Sequence, residues 1–95
     1  MLLAVDIGNT NITVGIFRGE ELQATWRMAT DVRRQGDEYA ATFMQLLNYN
    51  KLSQDDIDSG IISSVVPPLI GTFEELLRKY FGINPIVVGS SGTKT

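Results

Sequence analysis

The sequence predicts an α/β domain with the element order βββαβαβ, and three observations predict it. Apolar and polar residues alternate over 11–18 and again over 22–28, the period of half-buried strands. The period lengthens to that of an amphipathic helix over 37–50 and 67–80. Short apolar runs at 2–7, 61–64 and 85–88 stand where strands must join those pieces into one sheet.

Leu2 to Ile7 is nearly unbroken in apolar character and reads as a strand buried on both faces. In the second strand Ile12, Val14 and Ile16 share one face, and Thr13, Gly15 and Phe17 the other. Gly19-Glu20 suits a hairpin turn, after which Leu22, Ala24, Trp26 and Met28 alternate against Gln23, Thr25 and Arg27. The opening is therefore an antiparallel meander. A polar loop follows over 30–36. Ala40, Phe43, Met44 and Leu47 then mark one face of a helix ending near Asn50. Ser53 with Asp55 and Asp56 suggests a capped short turn. Ile61-Ile62 opens a brief strand. Pro67-Pro68 suits a helix start, where proline has no amide bond to lose. Leu69, Phe73, Leu76, Leu77 and Tyr80 form that helix's stripe, Glu74 and Glu75 face Arg78 and Lys79 on the other side, and Gly82 is a good stop. Pro85 to Val88 is the last strand, followed by a Gly/Ser-rich segment to Thr95. An α/β layer normally continues from such a point, so the chain is expected to be an incomplete piece of a longer protein.

The 95 residues carry 8 Lys plus Arg against 11 Asp plus Glu, a net charge of −3, which disfavours a nucleic-acid-binding arm. Hydrophobic residues at 43% supply a core, so disorder is not expected. No apolar run approaches the ~18 residues of a membrane span, and the N-terminus lacks the pattern of a signal peptide. The chain has no cysteine and no histidine, which excludes disulfides, Cys/His zinc sites and Ser-His-Asp chemistry within it. A cytoplasmic location fits this composition. Any chemistry must use carboxylates, hydroxyls, amides, Lys, Arg and bound metal ions.

The most informative segment is Asp6-Ile7-Gly8-Asn9-Thr10-Asn11. An acidic residue closes an apolar strand, and a tight polar turn leads into the next. A carboxylate buried there would need compensation, which Mg²⁺-bound phosphate provides. Gly8 permits close backbone approach, and the amides of Asn9, Thr10 and Asn11 suit an anion-binding concavity. A plain hairpin turn accounts for the same residue types. A second segment, Gly89-Ser90-Ser91-Gly92-Thr93-Lys94-Thr95, looks like a phosphate loop after a strand. It departs from a Walker A loop because Thr93 stands where glycine is required and no helix follows in the chain, and its composition favours a flexible loop. Trp26, Arg27, Thr30, Asp31, Arg33 and Arg34 form a third group, able to meet an anionic ligand or simply to face water. Ser63 and Ser64 lie at a strand-to-helix junction, where ligands of open α/β sheets gather and where helix caps also occur.

Taken together, these residues resemble the N-terminal part of a type III pantothenate kinase. The resemblance runs through Leu3-Ala4-Val5-Asp6-Ile7-Gly8-Asn9-Thr10-Asn11, Trp26-Arg27-Met28-Ala29-Thr30-Asp31, Asp37-Glu38-Tyr39, Ser63-Ser64-Val65-Val66-Pro67 and Ile86-Val87-Val88-Gly89 with Lys94-Thr95. It implies a ribonuclease-H-like fold, an incomplete half of a two-domain actin-like architecture of the acetate-and-sugar-kinase type. Residues 1–95 would then be an ATP-binding lobe whose second domain lies outside the chain. It also implies ATP-dependent phosphorylation of pantothenate, the first step toward coenzyme A, by a cytoplasmic homodimer that uses Mg²⁺ and a monovalent cation, K⁺ or NH₄⁺. On that basis Asp6 organises Mg²⁺, residues Asp6, Ile7, Gly8, Asn9, Thr10 and Asn11 hold the ATP phosphates, and Gly92, Lys94 and Thr95 form a substrate-side loop. Two departures stand out. The family's Gly-Pro-Gly-x-Lys-Thr-Gly pattern lacks its proline here and is one residue longer between Gly89 and Lys94. Its Gly-Ala-Asp-Arg segment, with the catalytic Asp, falls beyond Thr95. The chain alone is therefore expected to be inactive. A non-catalytic nucleotide- or phosphate-binding or regulatory module, and a purely structural piece, are the alternatives.

Overall fold

The computed structural model describes residues 1–89. Its elements are β1 (Leu2–Ile7), β2 (Asn11–Arg18), β3 (Glu21–Ala29), α1 (Gly36–Tyr49), a 3₁₀ turn (Gln54–Asp56), β4 (Ser59–Ser64), α2 (Pro67–Phe81) and β5 (Ile86–Gly89). The order is the one expected from the sequence periods. The strands form one five-stranded sheet in the order β3-β2-β1-β4-β5. β1 to β3 are an antiparallel meander, while β4 pairs parallel with β1 and with β5. Parallel neighbours need crossover connections, and the segments carrying α1 and α2 supply them.

One face of the sheet carries the core. Leu3, Val5 and Ile7 of β1 and Ile12, Val14 and Ile16 of β2 are all buried there. They meet Tyr39, Phe43 and Leu47 of α1 and Leu69, Phe73, Leu76 and Leu77 of α2. Burying each large apolar side chain contributes about 1.5–3 kcal/mol. Trp26 of β3 packs edge-on against Phe43 at 5.8 Å between ring centroids. Its indole Nε1 is buried without a partner among the described residues.

Local chemistry sets the element ends. The Gly19-Glu20 loop joins the Arg18–Glu21 pair, with Gly19 at φ +63°. At the start of α1 the Glu38 carboxylate accepts from the Gln35 amide at 3.0 Å, closing the first turn. At its end Lys51 takes φ +60°, and the Leu52 amide donates back to the Leu47 carbonyl at 2.8 Å. α2 begins on its two prolines and stops at Gly82, φ +66°, whose amide donates to the Arg78 carbonyl at 3.0 Å.

The expectation that β1 is buried on both faces is corrected. Leu3, Val5 and Ile7 are buried, Leu2 and Ala4 are half-buried and Asp6 is exposed. No described layer covers the face that Asp6 shares with Thr13, Gly15, Phe17, Ile61 and Ser63, and on that face Ile86 is 66% exposed. The ion pairing of α2 also differs in part. Arg78 lies 3.8 Å from Glu74 as the helical spacing predicts, but Lys79 pairs with Asp37 of α1 at 3.3 Å.

Candidate phosphate-binding turn at the end of the first strand

The β1–β2 hairpin closes on Gly8, whose amide donates to the Asn11 carbonyl at 2.9 Å. A Cβ at Gly8 would sit 3.2 Å from that same carbonyl oxygen, so the turn is shaped around a residue with no side chain. Asn9, Thr10 and Asn11 are exposed. Among the described residues, the amides of Asn9 and Thr10 have no hydrogen-bond acceptor. Two adjacent unpaired amides at a solvent-facing turn favour an anion.

Asp6 is the last outward-facing residue of β1 before this turn. Register pairs it with Thr13 of β2 on one side and Ser63 of β4 on the other. Adjacent paired residues share a face, so a carboxylate and two hydroxyls form one polar row across the middle of the sheet. Arg27 of β3, exposed, extends the row beyond Thr13. Behind it Ala4, Gly15, Phe17, Leu22 and Ile61 make an apolar floor, and with Asp6, Thr13 and Ser63 they line an open cleft of about 300 Å³. The carboxylate is thus not in the buried setting expected from the sequence. It stands at the mouth of a cleft, where it can meet a hydrated cation.

The donor set fits magnesium held jointly with a polyphosphate. Among the described residues no three His, Cys, Asp or Glu side chains converge to cage a metal. A single exposed carboxylate flanked by hydroxyls matches an ion that keeps its waters and takes its remaining ligands from phosphate oxygens.

The other sequence candidates separate. Ser63 lines the cleft. Ser64 is buried and turned inward, its hydroxyl accepting from the Val66 amide at 2.9 Å and donating to the Val66 carbonyl at 3.1 Å, so it fixes the entry to α2. Thr30 joins the turn, its hydroxyl donating to the Gly8 carbonyl at 2.7 Å. Trp26 belongs to the core. Asp31 and Arg33 pair with each other at 3.2 Å, and the guanidinium holds the Asp31 carboxyl below its ordinary range. Arg33 and Arg34 line a different groove, between residues 32–37 and α2. The proposed anion cluster of the 26–34 segment therefore does not assemble as one site. Gly92, Lys94 and Thr95 lie outside the described residues. Thr13 was not among the sequence candidates, although its alternation against Ile12 and Val14 puts it on the Asp6 face.

A family model described as type III pantothenate kinase matches residues 2–95. A protein of Finegoldia magna (strain ATCC 29328 / DSM 20472 / WAL 2508) named type III pantothenate kinase is 47% identical over 88 residues, covering 93% of this chain and 34% of that protein. The chain thus spans about a third of the length of the curated relative it matches. Among solved structures, the ROK hexokinase of Thermus thermophilus superposes with a TM-score of 0.67 at 14% identity, over 93% of this chain and 34% of that one. A Bacteroides thetaiotaomicron protein described as having an actin-like ATPase fold superposes with a TM-score of 0.60 at 11% identity, over 96% of this chain and 32% of that one. These likenesses bear out the expected fold class, a partial actin-like architecture built on the βββαβαβ sheet.

Proposed function

The chain belongs to the type III pantothenate kinase family, and from that premise we propose that residues 1–95 are the N-terminal, ATP-binding lobe of an enzyme that phosphorylates pantothenate. The reaction moves the terminal phosphoryl group of ATP to the 4′-hydroxyl of pantothenate, giving 4′-phosphopantothenate and ADP, the first step toward coenzyme A. The observation that carries the reading is the exposed Asp6 carboxylate beside a turn with two unpaired amides.

Phosphoryl transfer depends on positioning and on neutralising charge, with little covalent chemistry for the protein to perform. The amides of Asn9 and Thr10 bind phosphate oxygens and fix their orientation. Gly8 keeps the backbone low enough for that approach. Asp6 would hold hydrated Mg²⁺, with the Thr13 and Ser63 hydroxyls nearby, and the ion would supply charge neutralisation at the phosphates. The catalytic Asp of the family and its monovalent-cation site fall to sequence beyond Thr95, and the full-length enzyme acts as a homodimer. No described helix is long and apolar enough to cross a membrane, and a cytoplasmic site of action is part of the same proposal.

The test is ADP formation in the presence of pantothenate. A protein carrying this lobe together with the remaining family sequence turns over, with a requirement for pantothenate and Mg²⁺. The 95-residue chain alone does not. Turnover by the isolated chain would refute the lobe assignment. ADP formation indifferent to pantothenate would refute the substrate and favour a nucleotide-binding module.

A further inference from the structure

A hairpin turn presents both polarities of the peptide group: its N–H groups attract an anion and its carbonyl oxygens repel one. In the Gly8–Asn11 turn three of the four carbonyls are occupied, and that of Asn9 has no donor among the described residues. The Thr30 hydroxyl donates to the Gly8 carbonyl at 2.7 Å, and the Thr30 amide donates to the Thr10 carbonyl at 3.0 Å. The Asn11 carbonyl accepts from the Gly8 amide at 2.9 Å. The amides of Asn9 and Thr10 have no acceptor among the described residues. One residue, 22 positions along the chain, therefore covers two of the turn's negative ends.

Thr30 is itself held from the core. Its neighbour Asp31 donates its amide to the Tyr39 hydroxyl at 3.1 Å and accepts from that hydroxyl through its own carbonyl at 2.7 Å. Tyr39 is fully buried in α1, its ring 4.9 Å from that of Phe73 in α2. The path from the packed helices to the turn is continuous: Phe73, Tyr39, Asp31, Thr30, Gly8.

We infer that Thr30 is a positioning residue that favours anion binding at the Gly8–Asn11 turn, by capping the carbonyl oxygens of Gly8 and Thr10, and that the Tyr39 hydroxyl holds Thr30 in place. The inference rests on the phosphate-binding role proposed above for that turn.

The test follows the amide resonances of Asn9 and Thr10 in the full 95-residue chain as Mg-ATP is added, in wild type, Thr30→Val, Thr30→Ser, Tyr39→Phe and Asp6→Asn. Thr30→Val removes the hydroxyl and keeps both the branched shape and the backbone bond. It is expected to weaken Mg-ATP binding about threefold to tenfold, the worth of one hydrogen bond, and to speed hydrogen exchange at the Gly8 amide. Thr30→Ser restores both properties, which loss of packing alone would not explain. Tyr39→Phe shifts both in the same direction as Thr30→Val. Should Thr30→Val lose its fold, as judged by Trp26 fluorescence, Thr30→Ala replaces it. Wild-type affinity in a folded hydroxyl-less variant, while Asp6→Asn abolishes binding, overturns the Thr30 role alone. Wild-type behaviour of Tyr39→Phe overturns the Tyr39 role. No Asp6-dependent response in the wild-type chain defeats the phosphate assignment and this inference with it.

Discussion

Gly60 of β4 lies directly against Leu77 of α2: a Cβ at position 60 would fall 2.5 Å from Leu77 Cδ2 and 3.0 Å from Ile83 Cδ1. Leu77 is fully buried, so it has little room to retreat. The closeness of helix and strand here sets how α2 sits over the sheet, and with it the junction that carries Ser63 and Ser64.

Gly60→Ala should therefore destabilise the domain by about 1–3 kcal/mol, the range for an overpacked core. Urea unfolding followed by Trp26 fluorescence checks this. The midpoint should fall with the slope unchanged. A wild-type midpoint would contradict the tight contact.

Ser63 and Ser64 should behave oppositely although they adjoin. Ser64→Ala removes a buried hydroxyl that both donates to and accepts from the backbone of Val66, and should cost about 1–2 kcal/mol. Ser63→Ala touches an exposed hydroxyl on the open face, and should change stability by less than about 0.5 kcal/mol while weakening Mg-ATP binding. Paired urea and calorimetric titrations read both. Equal effects of the two substitutions would contradict the division of roles.

Lys51 occupies the left-handed region at φ +60° just after α1. A side chain pays about 1 kcal/mol there that glycine does not. Lys51→Gly should stabilise the domain by roughly that amount and raise the melting temperature by about 4–8 °C. An unchanged or lower melting temperature would contradict the strain at this position.

Acid stability should depend on Asp37. It accepts from the Tyr80 hydroxyl and pairs with Lys79, and these contacts hold its carboxyl below the ordinary value of 3.8. A depressed carboxyl adds stability above its unfolded-state value and loses it as the pH falls through the folded-state value, because the unfolded chain then binds more protons. Asp31, held down chiefly by its Arg33 hydrogen bond, and Asp58, held down chiefly by the N-terminal ammonium, titrate in the same direction. Asp37→Asn should lower the urea midpoint at neutral pH, and the gap to wild type should close below about pH 4. A gap independent of pH would contradict the linkage.

The sequence and the structure part company at identifiable places. The element order was legible because the apolar period changes sharply between Met28 and Ala40, and the helix stops at Gly82 and starts at Pro67 follow from local chemistry. The face of β1 was not, because Leu2 and Ala4 are apolar and conceal the alternation that leaves Asp6 outside. Lys79 was assigned by helical spacing to Glu75, yet tertiary packing brings Asp37 closer. The turn at Asp6 to Asn11 was legible as a pattern of residue types. Thr13 and Ser63 join it only through strand register, and Thr30 only through a contact spanning the meander. No spacing rule in one sequence reports such contacts. Lys51 carries a glycine's backbone without being one, so residue type gave no warning.

The most direct test of the account is titration calorimetry of the folded 95-residue chain with Mg-ATP, wild type against Asp6→Ala. The account requires a saturable signal in the wild type that is lost or strongly weakened in the variant, with both proteins showing the same Trp26 fluorescence. Binding of equal strength in the two, or no heat from the folded wild type at millimolar nucleotide, would contradict it.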